Sequence, residues 1–304
     1  MQSGFHKLVS LLVLALPLSG CGSDESSDTG DTGPIEQPCA NYATARCEAM
    51  ERCAPALFDL EHGNTDACRA QLSAWCTHVG HLPGVQAGPK AIGSCASTFA
   101  SMSCDTWQSR RDDPLCAAPG GTLGAGDSCL DGYQCSSKTC YLDASGTCGA
   151  CQPAAKTGDP CRLSMECPTN TACVGYKCVE VAGIGDACDS ARPCGGVLMC
   201  VGGTCTKSPV PGEACADGIC NNKLATTCDG GSCEALPTAS TGEPCGLVGG
   251  QTVYCGGGTC SSQNTCVAPV PDGRPCNDTS GPTCLLPAIC VDGWCKTPDP
   301  SSCP

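Results

Sequence analysis

The apolar residues of this chain fall into three regimes, and each predicts a different kind of structure. Residues 8–18 (LVSLLVLALPL) form one continuous apolar run behind a weakly basic start at His6 and Lys7. The run is too short to span a bilayer, which takes roughly 20 residues, so residues 1–20 read as an export signal. Between residues 39 and 118 the period is helical. Cys39, Ala43, Cys47, Met50 and Cys53 share one face, as do Cys68, Leu72, Trp75, Cys76 and Val79 behind the capping stretch Asn64-Thr65-Asp66. Gly80 and Pro83-Gly84 end that second helix, Ile92, Cys95, Phe99 and Met102 mark a third, and residues 104–107 begin a fourth. Beyond Pro119 neither period survives. Apolar side chains are sparse there, and cysteines carry the pattern.

Composition then changes the picture. Of 304 residues, 35 are cysteine, with only three Trp, five Tyr and three Phe against 39 Gly and 24 Pro. A reducing compartment would leave so many thiols free and reactive, which excludes the cytosol. A chain this poor in large apolar groups cannot offset its conformational entropy by burial, so cross-links must supply the difference. An odd count leaves one cysteine over. Leu18-Ser19-Gly20-Cys21 directly follows the apolar run and resembles the bacterial lipobox. The resemblance implies that Cys21 is diacylated and becomes the new N-terminus. The alternative is a plain secretory signal whose Cys21 pairs with another thiol. Residues 21–38 follow as a lipidated cysteine and an acidic, disordered tether, GSDESSDTGDTGPIEQP after Cys21. In the lipoprotein family an Asp after the cysteine signals inner-membrane retention. Gly22 stands there, which leans towards the outer membrane or cell surface.

The fold class expected is small and disulfide-rich: a short α-helical eight-cysteine module followed by an array of irregular β-hairpin four-cysteine knots. The helical module spans residues 39–118 and is stapled through Cys39, Cys47, Cys53, Cys68, Cys76, Cys95, Cys104 and Cys116. In residues 119–304 a Gly-acid-x-Cys signature recurs at Gly126, Gly158, Gly185, Gly212 and Gly242, with a degenerate copy at Gly273 where Arg274 replaces the acid. Six units follow: 129–151, 161–178, 188–205, 215–233, 245–266 and 276–303. The first three carry Cys129, Cys135, Cys140 and Cys148, then Cys161, Cys167, Cys173 and Cys178, then Cys188, Cys194, Cys200 and Cys205. Cys151 and Cys303 are left without an assigned partner. Gly202-Gly203, Gly230-Gly231 and Asp292-Gly293 predict tight hairpin turns. Six such knots in series, jointed at Pro-rich links such as 208–212 and 268–271, predict an elongated rod.

Residues 129–178 resemble the N-terminal cysteine-rich domain of the Dickkopf family. The likeness rests on Cys129, Cys135 and Cys140, the link Cys148-Gly149-Ala150-Cys151, and Cys161, Cys167, Cys173 and Cys178. It implies two small knots joined by a CxxC link. The family has ten cysteines with an adjacent pair and this stretch has nine, so the resemblance leaves Cys151 to reach Cys303 or to rearrange locally. Animal Dickkopf proteins antagonise a signalling receptor, a role that does not suit a chain bearing a lipobox.

Candidate chemistry is thin. The repeats contain no histidine, which removes the commonest general base from them. His78 and His81 are spaced as HxxH but are expected to be solvent-exposed at a helix end, and with His62 they do not amount to a zinc site. Cys148-x-x-Cys151 lacks the βαβ context of a redox dithiol. Asp127, Asp159, Asp186, Glu213 and Glu243 supply one carboxylate per unit, too few for calcium, and are expected either to cap turns or to be solvated. Asn277-Asp278-Thr279 is read as a chance sequon, and Gly256-Gly257-Gly258 as a poor phosphate cradle. No cofactor or metal is expected. The formal charge of −14 opposes binding to nucleic acid or to an anionic lipid surface. The expected partners are the membrane, through the N-terminal lipid, and an extracellular protein or glycan. The function expected is non-enzymatic: adhesion, binding or structural presentation at the cell envelope. The alternative is inhibition of secreted proteases through loops such as Arg192-Pro193 or Lys207.

Overall fold

Helix formation begins earlier than the acidic tether suggests. The computed structural model describes residues 33–109, 119–143, 146–161, 167–168 and 170–303; Cys21, Cys116 and residues 21–32 of the tether lie outside them. Helix α1 runs Glu36–Cys53, so Glu36, Gln37 and Pro38 belong to a helix and not to the tether. Pro38 is tolerated because it sits in the first turn, where its missing N–H has no intrahelical partner to lose. Ile35 anchors the entry: it is buried with Cys39 and Cys76 and leans on Gly80.

Five α-helices are present among the described residues: α1, α2 (Pro55–His62), α3 (Thr65–Gly80), α4 (Pro89–Ser101) and α5 (Cys104–Ser109). Asn64 caps α3 by accepting a hydrogen bond from the Ala67 amide at 2.8 Å. Helix α1 is central. Its buried face, Cys39, Ala43, Cys47, Met50 and Cys53, is the one that the sequence period marks. Cys39–Cys76 and Cys47–Cys68 tie it antiparallel to α3, and Cys53–Cys104 ties its end to the start of α5. Cys95 on α4 is also disulfide-bonded.

Each repeat is a two-disulfide hairpin knot in which the first cysteine bonds the third and the second bonds the fourth. Cys161–Cys173 with Cys167–Cys178 is one example, and Cys188–Cys200 with Cys194–Cys205 the next. The same alternation holds for Cys215–Cys228 with Cys220–Cys233, Cys245–Cys260 with Cys255–Cys266, and Cys276–Cys290 with Cys284–Cys295. In all six units the third and fourth cysteines face each other across the hairpin, as in Cys173↔Cys178 and Cys200↔Cys205. They do not bond to each other, so the two bridges fasten the opening loop to both strands. Each bridge closes a short loop, and a loop of ~15 residues is worth about 3 kcal/mol in the chain-entropy account. That contribution replaces the missing apolar core.

The Gly-acid-x-Cys signature now has a physical reason. Gly126 takes φ +93° inside a tight turn closed by the Asp127 amide donating to Gly124 O, a backbone conformation that favours glycine. The acid then caps that turn. Asp127, Asp159, Asp186, Glu213 and Glu243 each accept from the amide three residues back, at 2.7 to 3.0 Å. The opener is also laced to the end of its own unit. Gly126 N donates to Cys151 O, and the equivalent bond recurs from Gly158 to Cys178 and from Gly273 to Cys295.

Two expectations are corrected. In the first knot the fourth cysteine is Cys151, not Cys148: the bonds are Cys129–Cys140 and Cys135–Cys151. Cys148 instead bonds Cys303, 155 residues away, joining the first unit to the end of the chain. The rod is therefore replaced by a covalently closed loop of knots.

That loop folds back onto the helices. Val197 of the third unit and Leu224 and Ala225 of the fourth are buried in the same apolar cluster as Met50, Leu57, Phe58 and Trp107. Thr122 N donates to Gly84 O at 2.8 Å, and Trp75 packs edge-on to Tyr133, so the first unit docks as well. The fifth docks through Gly257 N, which donates to Leu60 O at 3.0 Å. Polar groups cement the joint. Gln108 and Ser208 are fully buried, and Gln108 Oε1 accepts from Ser208 N while its Nε2 donates to Ser208 O. Asn221 Nδ2 donates to Ser208 Oγ, so this buried node is well supplied with partners.

Candidate functional site

The side chains with titratable chemistry do not converge on a reaction centre among the described residues. His62, at the end of α2, is largely buried and its Nδ1 lies 3.1 Å from Gln71 Oε1. Burial pushes its pKa below the ordinary 6.5, against the opposing pulls of Gln71 and Glu61. The pair His78 and His81 was expected to be exposed. His81 is exposed, 3.6 Å from Glu36. His78 is only half-exposed, because the first knot covers it and brings Asp131 near. Burial lowers the His78 pKa, and burial raises that of Asp131. Asp131 is held as the cap of the turn at Gly132–Gln134, accepting from Tyr133 N at 2.9 Å.

The two lowered histidine pKa values predict a pH dependence, which the raised Asp131 pKa opposes only nearer the carboxylate range. A histidine whose folded pKa is depressed takes up its proton more readily when unfolded, so stability falls as pH drops below 6.5. Denaturant titrations with disulfides intact should show lower stability at pH 5 than at pH 7. His62→Gln with His78→Gln should flatten that difference.

The sulfur clusters are not metal sites. In several knots three sulfurs, such as those of Cys129, Cys135 and Cys151, lie within 4.8 Å of one another. That proximity results from two adjacent bridges. Every cysteine among the described residues is disulfide-bonded, and metal ligation needs the thiolate. Cys148 and Cys151 belong to separate bridges, so together they form no dithiol pair. Asn277 accepts from the amides of Thr279 and Ser280 in a local turn, and Gly256-Gly257 is occupied in docking against α2.

Among the concave features of the described residues, two each bring aromatic side chains together. A small apolar cleft of about 80 Å³ sits between α1, α3, α4 and the first knot, with Tyr42, Trp75 and Tyr133 on its walls. An open groove of about 540 Å³ runs between the first and second knots, bordered by Tyr141 and Tyr176. Sequence reasoning missed both. The only advance signal for the groove was a tyrosine at a hairpin tip, where three sister units carry glycine.

Of the loops considered for protease inhibition, Arg192 is committed locally. Its guanidinium lies 3.7 Å from Asp186, and its amide donates to Asp189 Oδ1. Lys207 is exposed, next to the buried Ser208. No helix among the described residues is long and apolar enough to cross a membrane.

No family model, curated protein or solved structure matches this chain.

Proposed function

We propose that this protein is a lipid-anchored, non-enzymatic component of the cell envelope that presents a disulfide-fixed binding surface. The observation that carries the proposal is a leftover cysteine in a lipobox context. Thirty-two described cysteines pair among themselves in 16 bridges. The remaining described cysteine, Cys95, takes a partner beyond them. Cys21 and Cys116 are the two cysteines outside the described residues, and the sequence places Cys116 with Cys95 in the eight-cysteine helical module, which leaves one thiol of the 35 spare. It is Cys21, preceded by Leu18-Ser19-Gly20 and an apolar run. Diacylation suits stable anchoring, since one acyl chain alone gives only marginal, reversible binding. Cross-linked knots that need little apolar core suit display, because their loops are fixed by covalent bonds and free to vary in sequence.

In cells of the source organism fed labelled palmitate, the wild-type chain should take up label and sediment with membranes, and Cys21→Ala should lose both. A Cys21→Ala protein that stays equally labelled overturns the anchor. Protease inhibition ranks second, because Arg192 is tied into its own turn and Lys207 is the one candidate cation left presented. Slowed hydrolysis across a panel of serine proteases would favour it.

A further inference from the structure

The groove between the first and second knots combines aromatic faces, hydrogen-bond acceptors and an absence of charge. Tyr141 and Tyr176 border it, Pro153 and Pro160 lie on its walls, and Thr139 and Gln152 supply its polar groups. No lining residue carries a formal charge, in a chain with 30 acidic side chains.

Tyr176 breaks a local rule to be there. The four two-residue hairpin turns that join the third and fourth cysteines of a unit place Tyr176, Gly203, Gly231 and Gly293 at the same second position. All four have positive φ, +64° for Tyr176. Glycine meets that conformation without a steric cost, whereas a bulky side chain is strained. The strained tyrosine is also 77 % exposed, so it gains nothing from packing. Costs of this kind cluster where a side chain is needed for binding.

The polar groups select the ligand class. Thr139 Oγ1 donates to Ser137 O, and Gln152 Nε2 donates to Ala150 O. What these two side chains chiefly have left to offer are lone pairs, on the Thr139 hydroxyl and the Gln152 carbonyl oxygen. A proline-rich peptide presents carbonyl acceptors and few N–H groups, so it can use the tyrosine hydroxyls but leaves the lone pairs of Thr139 and Gln152 unmet. A sugar presents hydroxyl donors around a ring whose C–H face suits the negative face of tyrosine.

We propose that this groove binds a neutral oligosaccharide, with Tyr141 and Tyr176 as stacking platforms. The site deepens the display reading above and relies on it only for contact with an external ligand. The probes are immobilised hexasaccharides of glucose, mannose and galactose, a sulfated oligosaccharide and a proline-rich peptide, each tested against the full mature chain. At least one neutral hexasaccharide should bind. Tyr176→Gly should weaken it about tenfold or more while keeping all disulfides and the thermal midpoint, because glycine is the sister-unit residue. Tyr141→Ala should weaken it similarly. Binding that is confined to the sulfated sugar or the peptide, binding untouched by Tyr176→Gly, or no binding at millimolar sugar would overturn the proposal. Glycan binding with lost palmitate labelling refutes the anchor alone, and the reverse refutes this site alone.

Discussion

The double variant Cys148→Ser/Cys303→Ser should keep all six knots and lose about 3 to 4 kcal/mol of stability in its final docked state. The bond it removes closes a span of 155 residues. The intervening knots shorten the effective loop, because each behaves as one compact segment, so the estimate sits between those for a ~15-residue and a ~100-residue loop. The effect should be local. The first, third, fourth and fifth units hold the helices through Gln134, Val197, Leu224 and Gly257. The described contacts of the sixth unit are with its neighbours: Ser262 N donates to Ser280 O, and Ile289 lies 3.6 Å from where a Gly146 Cβ would be. Limited proteolysis under non-reducing conditions should therefore excise residues near 276–303 on the order of a hundredfold faster in the variant, with the helical fragment left intact. Equal cleavage rates would mean that the closure carries no load.

Gly257→Val should undock the fifth knot. A Cβ at Gly257 would stand 2.3 Å from His62 O and 2.5 Å from His62 C, both backbone atoms that cannot rotate away. Its φ of +64° adds strain for a β-branched residue. Steric overpacking and backbone strain together should cost about 3 kcal/mol. The bridges Cys245–Cys260 and Cys255–Cys266 should survive, since they lie within the unit. Hydrogen exchange reads the outcome directly. The Gly257 amide, now bonded to Leu60 O, should lose protection, whereas the hairpin amides at Cys245 and Cys266 should keep theirs. Gly250→Val provides the control: it also has positive φ, but nothing lies near its Cβ.

Local structure was legible in the sequence where one residue type answers one local demand. The buried face of α1, the Asn64 cap, the Gly-acid openers and the paired turn residues all follow from short-range rules. What was illegible depends on partners distant in the chain. Helix α2 has only eight residues, too few for a period to emerge. Val197 and Leu224 open short apolar stretches of two or three residues that follow no helical or strand period, and only their docking against Phe58 and Trp107 gives them a role. Cys148 and Cys151 could not be told apart because neither stands five residues after Cys140, the interval that marks the fourth cysteine in the second and third units. The deciding contact is the backbone bond from Gly126 to Cys151 O, which no spacing encodes. The tyrosine groove was hidden for a similar reason, as Tyr141 and Tyr176 are 35 residues apart and meet only across a joint between knots.

The closed loop of knots is tested most directly by mapping disulfides in the mature, unreduced protein. Digestion with pepsin at low pH suppresses thiol exchange, and fragmentation between Cys148 and Cys151 separates the two assignments. The predicted result is a Cys148–Cys303 peptide pair beside Cys135–Cys151, with alternate pairing in every other unit. A Cys148–Cys151 bridge, or Cys151 joined to Cys303, would contradict it.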